Sequence, residues 1–151
     1  MTISARLAEL GITLPAVAKP LAAYVPAVRT GNLVYTSGQL PIKSGELTHI
    51  GKVGAEVPPE QGKIAARTCA LNALAAIDAL AGIDSVVRVV KLVGFVASAP
   101  GFNGQPAVIN GASEFLGEVF GETGAHARSA VGVSELPLGA PVEVELIVEV
   151  R

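Results

Sequence analysis

The chain has a single cysteine, Cys69, so no internal disulfide can form; with only two histidines (His49, His126) and no paired cysteine spacing, the common zinc patterns are missing. It has no tryptophan, and aromatic residues make up 4% of it, which leaves few flat surfaces for stacking nucleobases. No two Lys or Arg residues are adjacent and the formal net charge is −2, so the electrostatic footprint of a nucleic-acid or anionic-membrane binder is absent. The longest apolar stretch, Ile64 to Ile83, is interrupted by Arg67, Asn72 and Asp78, which argues against a membrane span. The N-terminus has no basic leader followed by an apolar core, and this predicts a cytoplasmic protein.

What is there is apolar material: half of 151 residues, enough for one sizeable core. Ser4 followed by Ala-Arg-Leu-Ala-Glu-Leu and Gly11 reads as a short helix capped by Ser4. Pro15, Pro20 and Pro26 then predict an extended arm. Val25–Thr30 and Leu33–Ser37 flank Gly31-Asn32, a two-residue hairpin signal. A short strand is expected near Leu47–Ile50. Helical periodicity runs from Glu60 to Ala81 and from Pro106 to Phe120; β-branched runs predict strands over Val86–Ser98, Ala127–Glu135 and Val142–Arg151. The order β-β-α-β-α-β-β predicts an α+β fold, with a mostly antiparallel sheet backed by two main helices on one face. Its other face needs cover, which a homo-oligomer would supply.

Chemistry concentrates in the last two strands. Alternation puts Arg128 on one face with Ala130, Gly132 and Ser134, small neighbours that leave a hollow where a planar guanidinium can clamp a carboxylate. A solvated arginine on a wet sheet face fits the same alternation. In the final strand Glu143, Glu145 and Glu149 share one face; a carboxylate there can hold a water if it faces the Arg128 hollow, or simply be solvated. Ser37-Gly38 ends a strand and offers a hydroxyl and close backbone amides, or a plain exit into a loop. Tyr24 reads as an anchor in the arm, and Asn110 as an exposed helix residue without a partner in view. Cys69 lies mid-helix and is expected to pack as a small hydrophobe; His49, His126 and Cys69 are all expected to be dispensable.

Taken in order, Tyr24-Val-Pro-Ala-Val, Gly31-Asn-Leu-Val-Tyr-Thr-Ser-Gly-Gln-Leu-Pro41, Asn110, and Ala127-Arg-Ser-Ala-Val with Leu136-Pro137 and Val142-Glu-Val-Glu145 resemble the signature segments of the RidA/YjgF family, also called endoribonuclease L-PSP. The resemblance covers residues 24–151 as the family domain, with 1–23 as an added short helix and proline-rich arm. It implies a chorismate-mutase-like homotrimer with ligand sites between subunits. It also implies hydrolysis of 2-imino acids, formed from enamines such as 2-aminoacrylate, to 2-keto acids and ammonia without metal or organic cofactor. On that resemblance Arg128 clamps the carboxylate, Glu143 handles the attacking water, and Tyr24, Ser37, Gly38 and Asn110 line the pocket. The alternative is a module that binds a small carboxylate or keto acid without turning it over. Two departures bear on pocket shape: Ala130 stands where members often carry a cysteine, and the stretch 99–105 is longer than usual. The acidic, aromatic-poor composition counts against RNA as a partner.

Overall fold

Gly31 takes φ +57°, which lets the chain reverse in two residues between β1 (Ala27–Thr30) and β2 (Leu33–Thr36), as the Gly31-Asn32 pair predicts. The computed structural model describes residues 1–17, 20 and 23–151; the expected arm therefore lies partly outside the described residues. A two-stranded ribbon of β3 (Ile42–Lys43) and β4 (Glu46–Leu47) follows, turning through Ser44 and Gly45 at positive φ. The strand expected near Leu47–Ile50 thus ends at Leu47, because the tight turn pairs it backward with Ile42. Strands β5 (Val86–Ala97), β6 (Ala127–Val133) and β7 (Val142–Val150) join the first hairpin in one sheet of order β1-β2-β7-β5-β6. Every pairing is antiparallel except β5 with β6, the two strands joined by a helical crossover.

Two helices cover one face, α2 (Pro59–Ala81) and α3 (Gln105–Phe120), after a short α1 (Ile3–Glu9). Alanine and other small residues let α2 lie close on the sheet: Ala65, Ala66, Cys69, Ala70, Ala73 and Ala76 are buried against a core that includes Val142, Val144, Leu146, Val148 and Val150 of β7. By length and composition α2 could cross a membrane, with mean hydropathy 1.4 over its most apolar window. Its apolar side instead builds the core, while Lys63 and Arg67 on its other side pair with Glu114 and Glu118 of α3 at 3.0 and 3.1 Å. Cys69 is fully buried as expected, its Sγ 3.6 Å from the Val142 carbonyl. Burial pushes its thiol pKa well above the ordinary range and the charge of Glu143 adds to the rise, so thiolate chemistry is suppressed.

The expected cap of α1 is corrected. Thr2 caps it, its hydroxyl accepting from Ala5 N at 3.1 Å, because the helix starts two residues earlier than a Ser4 cap implies. Ser4 instead donates its N–H and hydroxyl to the Asp84 carboxylate, both at 2.7 Å. Leu7 is buried, and Arg6 donates to the Glu118 carbonyl at 3.0 Å, so α1 braces the C-terminal end of α3.

The face away from the helices is bare and partly apolar: Val28, Tyr35 and Val131 are 53%, 43% and 43% exposed, and Val93, Phe95 and Ile147 are half-buried.

Helices α2 and α3 touch at Gly111, where an added Cβ would collide with the Lys63 carbonyl oxygen and come within 2.8 Å of its carbon. Gly111→Ala must push the helices apart, and we expect it to lower unfolding stability by about 1–3 kcal/mol, the usual penalty for overpacking, in a denaturant titration.

Candidate functional site

Strand β6 is an edge strand, and its register with β5 sets Arg128 opposite Leu92, a fully buried core residue on the helix side. Arg128 therefore emerges between the sheet and α3. Its Nη1 donates to Asn110 Oδ1 at 2.7 Å and to Ser113 Oγ at 3.2 Å, two groups one helical turn apart on α3; Nη2 reaches the Pro106 carbonyl at 3.5 Å. All three acceptors are neutral. Among the described residues no carboxylate comes within ion-pair distance of this half-buried guanidinium, and no hydrogen bond falls on its Nε. Such a cation is fixed in place without being neutralised, with the Nε–Nη2 edge available for an anion.

Two expectations are corrected here. Asn110 is half-buried and bonded to Arg128, because the helix rotation set by Gly111 turns its amide toward β6. The small residues beside Arg128 do not all line a hollow: a Cβ on Gly132 would lie 2.7 Å from Gln105 Nε2 and 3.0 Å from Ser98 Oγ, so this end accommodates the start of α3. Gln105 is held there by bonds to Ser98 Oγ at 3.1 Å and the Phe102 carbonyl at 2.9 Å, which seats the long stretch 99–105 against the sheet.

A second cluster forms on the opposite face. Alternation along β7 puts Val142 and Val144 under the helices and Glu143 on the bare side. Gln39 pairs with Val144 through bonds of 2.8 and 3.1 Å, which brings Gly38 beside Glu143. The Glu143 side chain lies in the space a Cβ on Gly38 would take: such a Cβ would strike Glu143 Oε1 and lie 2.8 Å from its Cδ. Ser37 donates its hydroxyl to the Val25 carbonyl at 2.6 Å, tying in the segment that carries the half-exposed Tyr24. Burial raises the Glu143 pKa, and repulsion from Glu145 raises it further.

Within one chain, Arg128 and Glu143 do not share a site. They stand on opposite faces of the sheet, two strands apart and three residues out of register, roughly 14 Å between backbones. The condition that Glu143 face the Arg128 hollow is not met within one protomer: Leu146 is level with Arg128 across Leu92 of β5, and Glu143, three residues from Leu146, points to the other face.

His126, expected from the sequence to be dispensable, is instead bonded into the Arg128 site, and Ser113, which the sequence did not single out, joins the two. His126 Nε2 lies 2.9 Å from Ser113 Oγ and its Nδ1 lies 2.6 Å from the Gly124 carbonyl. The signals were present: Ser113 follows Asn110 by one helical turn, and His126 precedes Arg128 by two on the same strand parity.

The family model described as Endoribonuclease L-PSP matches residues 15–150. The chain is 47% identical to Protein TCP17 of Trypanosoma cruzi over 99% of its length and 94% of that protein. It is 33% identical to a 2-iminobutanoate/2-iminopropanoate deaminase of Dermatophagoides farinae, over 93% and 95% of the two chains. Among solved structures, Atu1372 of Agrobacterium tumefaciens, whose function is unknown, superposes with TM-score 0.91 at 48% identity, covering 99% and 92% of the two chains. Escherichia coli TdcF with bound serine gives TM-score 0.66 at 27% identity over 92% and 95%. With this sheet, these helices and these matches, the chain belongs to the L-PSP family, that of RidA and YjgF.

The raised Glu143 pKa has a stability consequence. The folded chain binds this proton more tightly than the unfolded chain, so the contribution is favourable at low pH and is lost as pH rises through the raised pKa. Glu143→Gln removes that cost. In scanning calorimetry the variant should melt no lower than wild type near neutral pH, with the difference closing in the acid range; a lower melting temperature near neutrality would contradict this.

Proposed function

We propose that the protein hydrolyses 2-imino acids to 2-keto acids and ammonia at clefts between the subunits of a homotrimer. Arg128 and Asn110 come from one protomer in this reading, and Glu143, Gly38, Ser37 and Tyr24 from its neighbour. The observation that carries it is the Arg128 guanidinium, held by neutral acceptors and lacking a carboxylate partner among the described residues. The separation of Arg128 from Glu143 within one chain, the bare apolar sheet face and the similarity to a named deaminase support the same reading.

The chemistry asks for few groups. The Nε–Nη2 edge of Arg128 takes the substrate carboxylate in two parallel bonds and so fixes the iminium carbon in the cleft. Gly38 lets the carboxyl of Glu143, and any ligand, approach the backbone closely. Glu143 removes a proton from water as its oxygen adds to the C=N carbon. The resulting tetrahedral carbinolamine takes that proton on nitrogen, and its hydroxyl gives its own proton to Glu143 as the C–N bond breaks, which leaves the keto acid and ammonia; the ammonia then carries that proton away as ammonium and restores the carboxylate. A carboxylate with a raised pKa suits both accepting and returning the proton.

A binding module for small carboxylates is the second reading, favoured by TdcF with bound serine. Turnover separates the two: the enzyme releases ammonia from 2-iminopropionate generated in place faster than the spontaneous reaction, and the module does not.

Arg128→Ala should abolish this release with the circular dichroism unchanged. Arg128→Lys should lose roughly ten- to a hundredfold, since a point charge cannot reproduce the two-bond clamp and a charged hydrogen bond contributes about 1.5–3 kcal/mol.

Mixing tests the shared cleft. Arg128→Ala and Glu143→Gln, each inactive alone, should regain partial activity when unfolded together and refolded, because some clefts then combine an intact Arg128 with an intact Glu143. A monomeric mass by light scattering, or no recovery on mixing, would refute the shared site.

A further inference from the structure

We infer that Ser113 and His126 are positioning residues that hold the Arg128 guanidinium by its Nη1 corner and so aim its Nε–Nη2 edge at the ligand. The inference rests on the reading above only for the nature of that ligand, a small carboxylate.

The Gly124 carbonyl can only accept, so His126 Nδ1, 2.6 Å away, carries a proton and donates it. In the neutral ring Nε2 is then an acceptor, and the Ser113 hydroxyl 2.9 Å away donates to it. With its proton committed, Ser113 Oγ turns lone pairs toward Arg128 Nη1 at 3.2 Å. Donation therefore runs one way, from the cation through Ser113 and His126 to Gly124, and a chain with one sense of donation strengthens each link. A doubly protonated ring would instead aim a donor at Ser113 and set a second positive charge in line with the guanidinium.

The far end of the chain is rigid. Gly124 is buried, and a Cβ there would lie 2.5 Å from the Leu116 carbonyl oxygen, so the turn that carries it is pressed onto α3, the helix that also carries Asn110 and Ser113. The Arg128 head is thus tied to α3 directly at two points through Nη1, Asn110 and Ser113, and Ser113 is held in turn through His126. A long side chain that would otherwise sample many rotamers keeps one, and none of these contacts uses Nε.

His49 provides an internal control. Its ring bonds Thr48 and Gln61, both at 2.9 Å, in a different loop. In 15N-detected NMR of the wild-type protein, His126 should appear as the neutral Nδ1–H tautomer, and saturation with pyruvate should shift its ring signals and leave those of His49 in place. An Nε2–H tautomer of His126 would overturn the inference, with no variant needed.

Ser113→Ala should weaken pyruvate binding and raise KM for 2-iminopropionate by about tenfold with a much smaller change in kcat, because a carboxylate clamp acts on ground and transition states alike. Ser113→Thr, which keeps the hydroxyl, should restore both. Unchanged pyruvate affinity in Ser113→Ala would overturn the inference, as would a loss that Thr fails to rescue. A wild-type protein that shows the His126 response to pyruvate but makes no ammonia overturns the deaminase reading and leaves the positioning role standing. One that binds no carboxylate overturns both.

Discussion

The close crossing of α2 and α3 at Gly111 is the contact on which the rest of the structure depends. The Lys63 carbonyl occupies the space that a side chain at Gly111 would need, so the two helices meet backbone to backbone. That contact fixes the rotation of α3 about its own axis. Asn110 and Ser113 flank the glycine, and the rotation that buries Gly111 against α2 turns both toward Arg128. Ion pairs at the rim, Lys63 with Glu114 and Arg67 with Glu118, lie on exposed side chains and contribute little by comparison.

The sheet imposes a second constraint. Successive residues of a strand point to opposite faces, and the fold uses one face for the core and leaves the other bare. Arg128 comes up on the core side, at an edge where α3 stops short of covering it. Glu143 comes up on the bare side, against Gly38. Groups so disposed cooperate only across a boundary between copies, and the apolar residues on the bare face offer the surface for such a boundary.

Much of this was legible in the residue order. Periodicity located α2, α3 and the long strands to within a residue or two, since each is long and strongly patterned; the Gly31-Asn32 pair located the first hairpin. Alternation grouped Arg128 with Ala130 and Gly132 on one face, without saying which face of the sheet that is, and the β5 register supplies the rest. Alternation within a strand says nothing, however, about the phase between strands, which is why Glu143 could be imagined facing Arg128. Small residues were read as empty space, yet Gly132 makes room for Gln105. Ser113 went unnoticed and His126 looked dispensable because their significance lies in a contact between α3 and the start of β6, and such a contact has no local pattern. Ser4 was taken for the cap because its tie to Asp84, eighty positions away, could not be seen.

The single thiol of the chain has a meaning in this light. An iminium carbon is an electrophile, and an enamine such as 2-aminoacrylate adds sulfur nucleophiles; a protein handling either is exposed to alkylation by its own substrate. Cys69 lies beneath β7, fully buried, its ionisation opposed by burial and by the charge of Glu143 across the sheet. Beside Arg128 the chain has Ala130, a residue with no thiol. A reactive guest of the proposed kind would meet no thiol beside Arg128, and the packing of the core would protect the chain from inactivation by its own substrate.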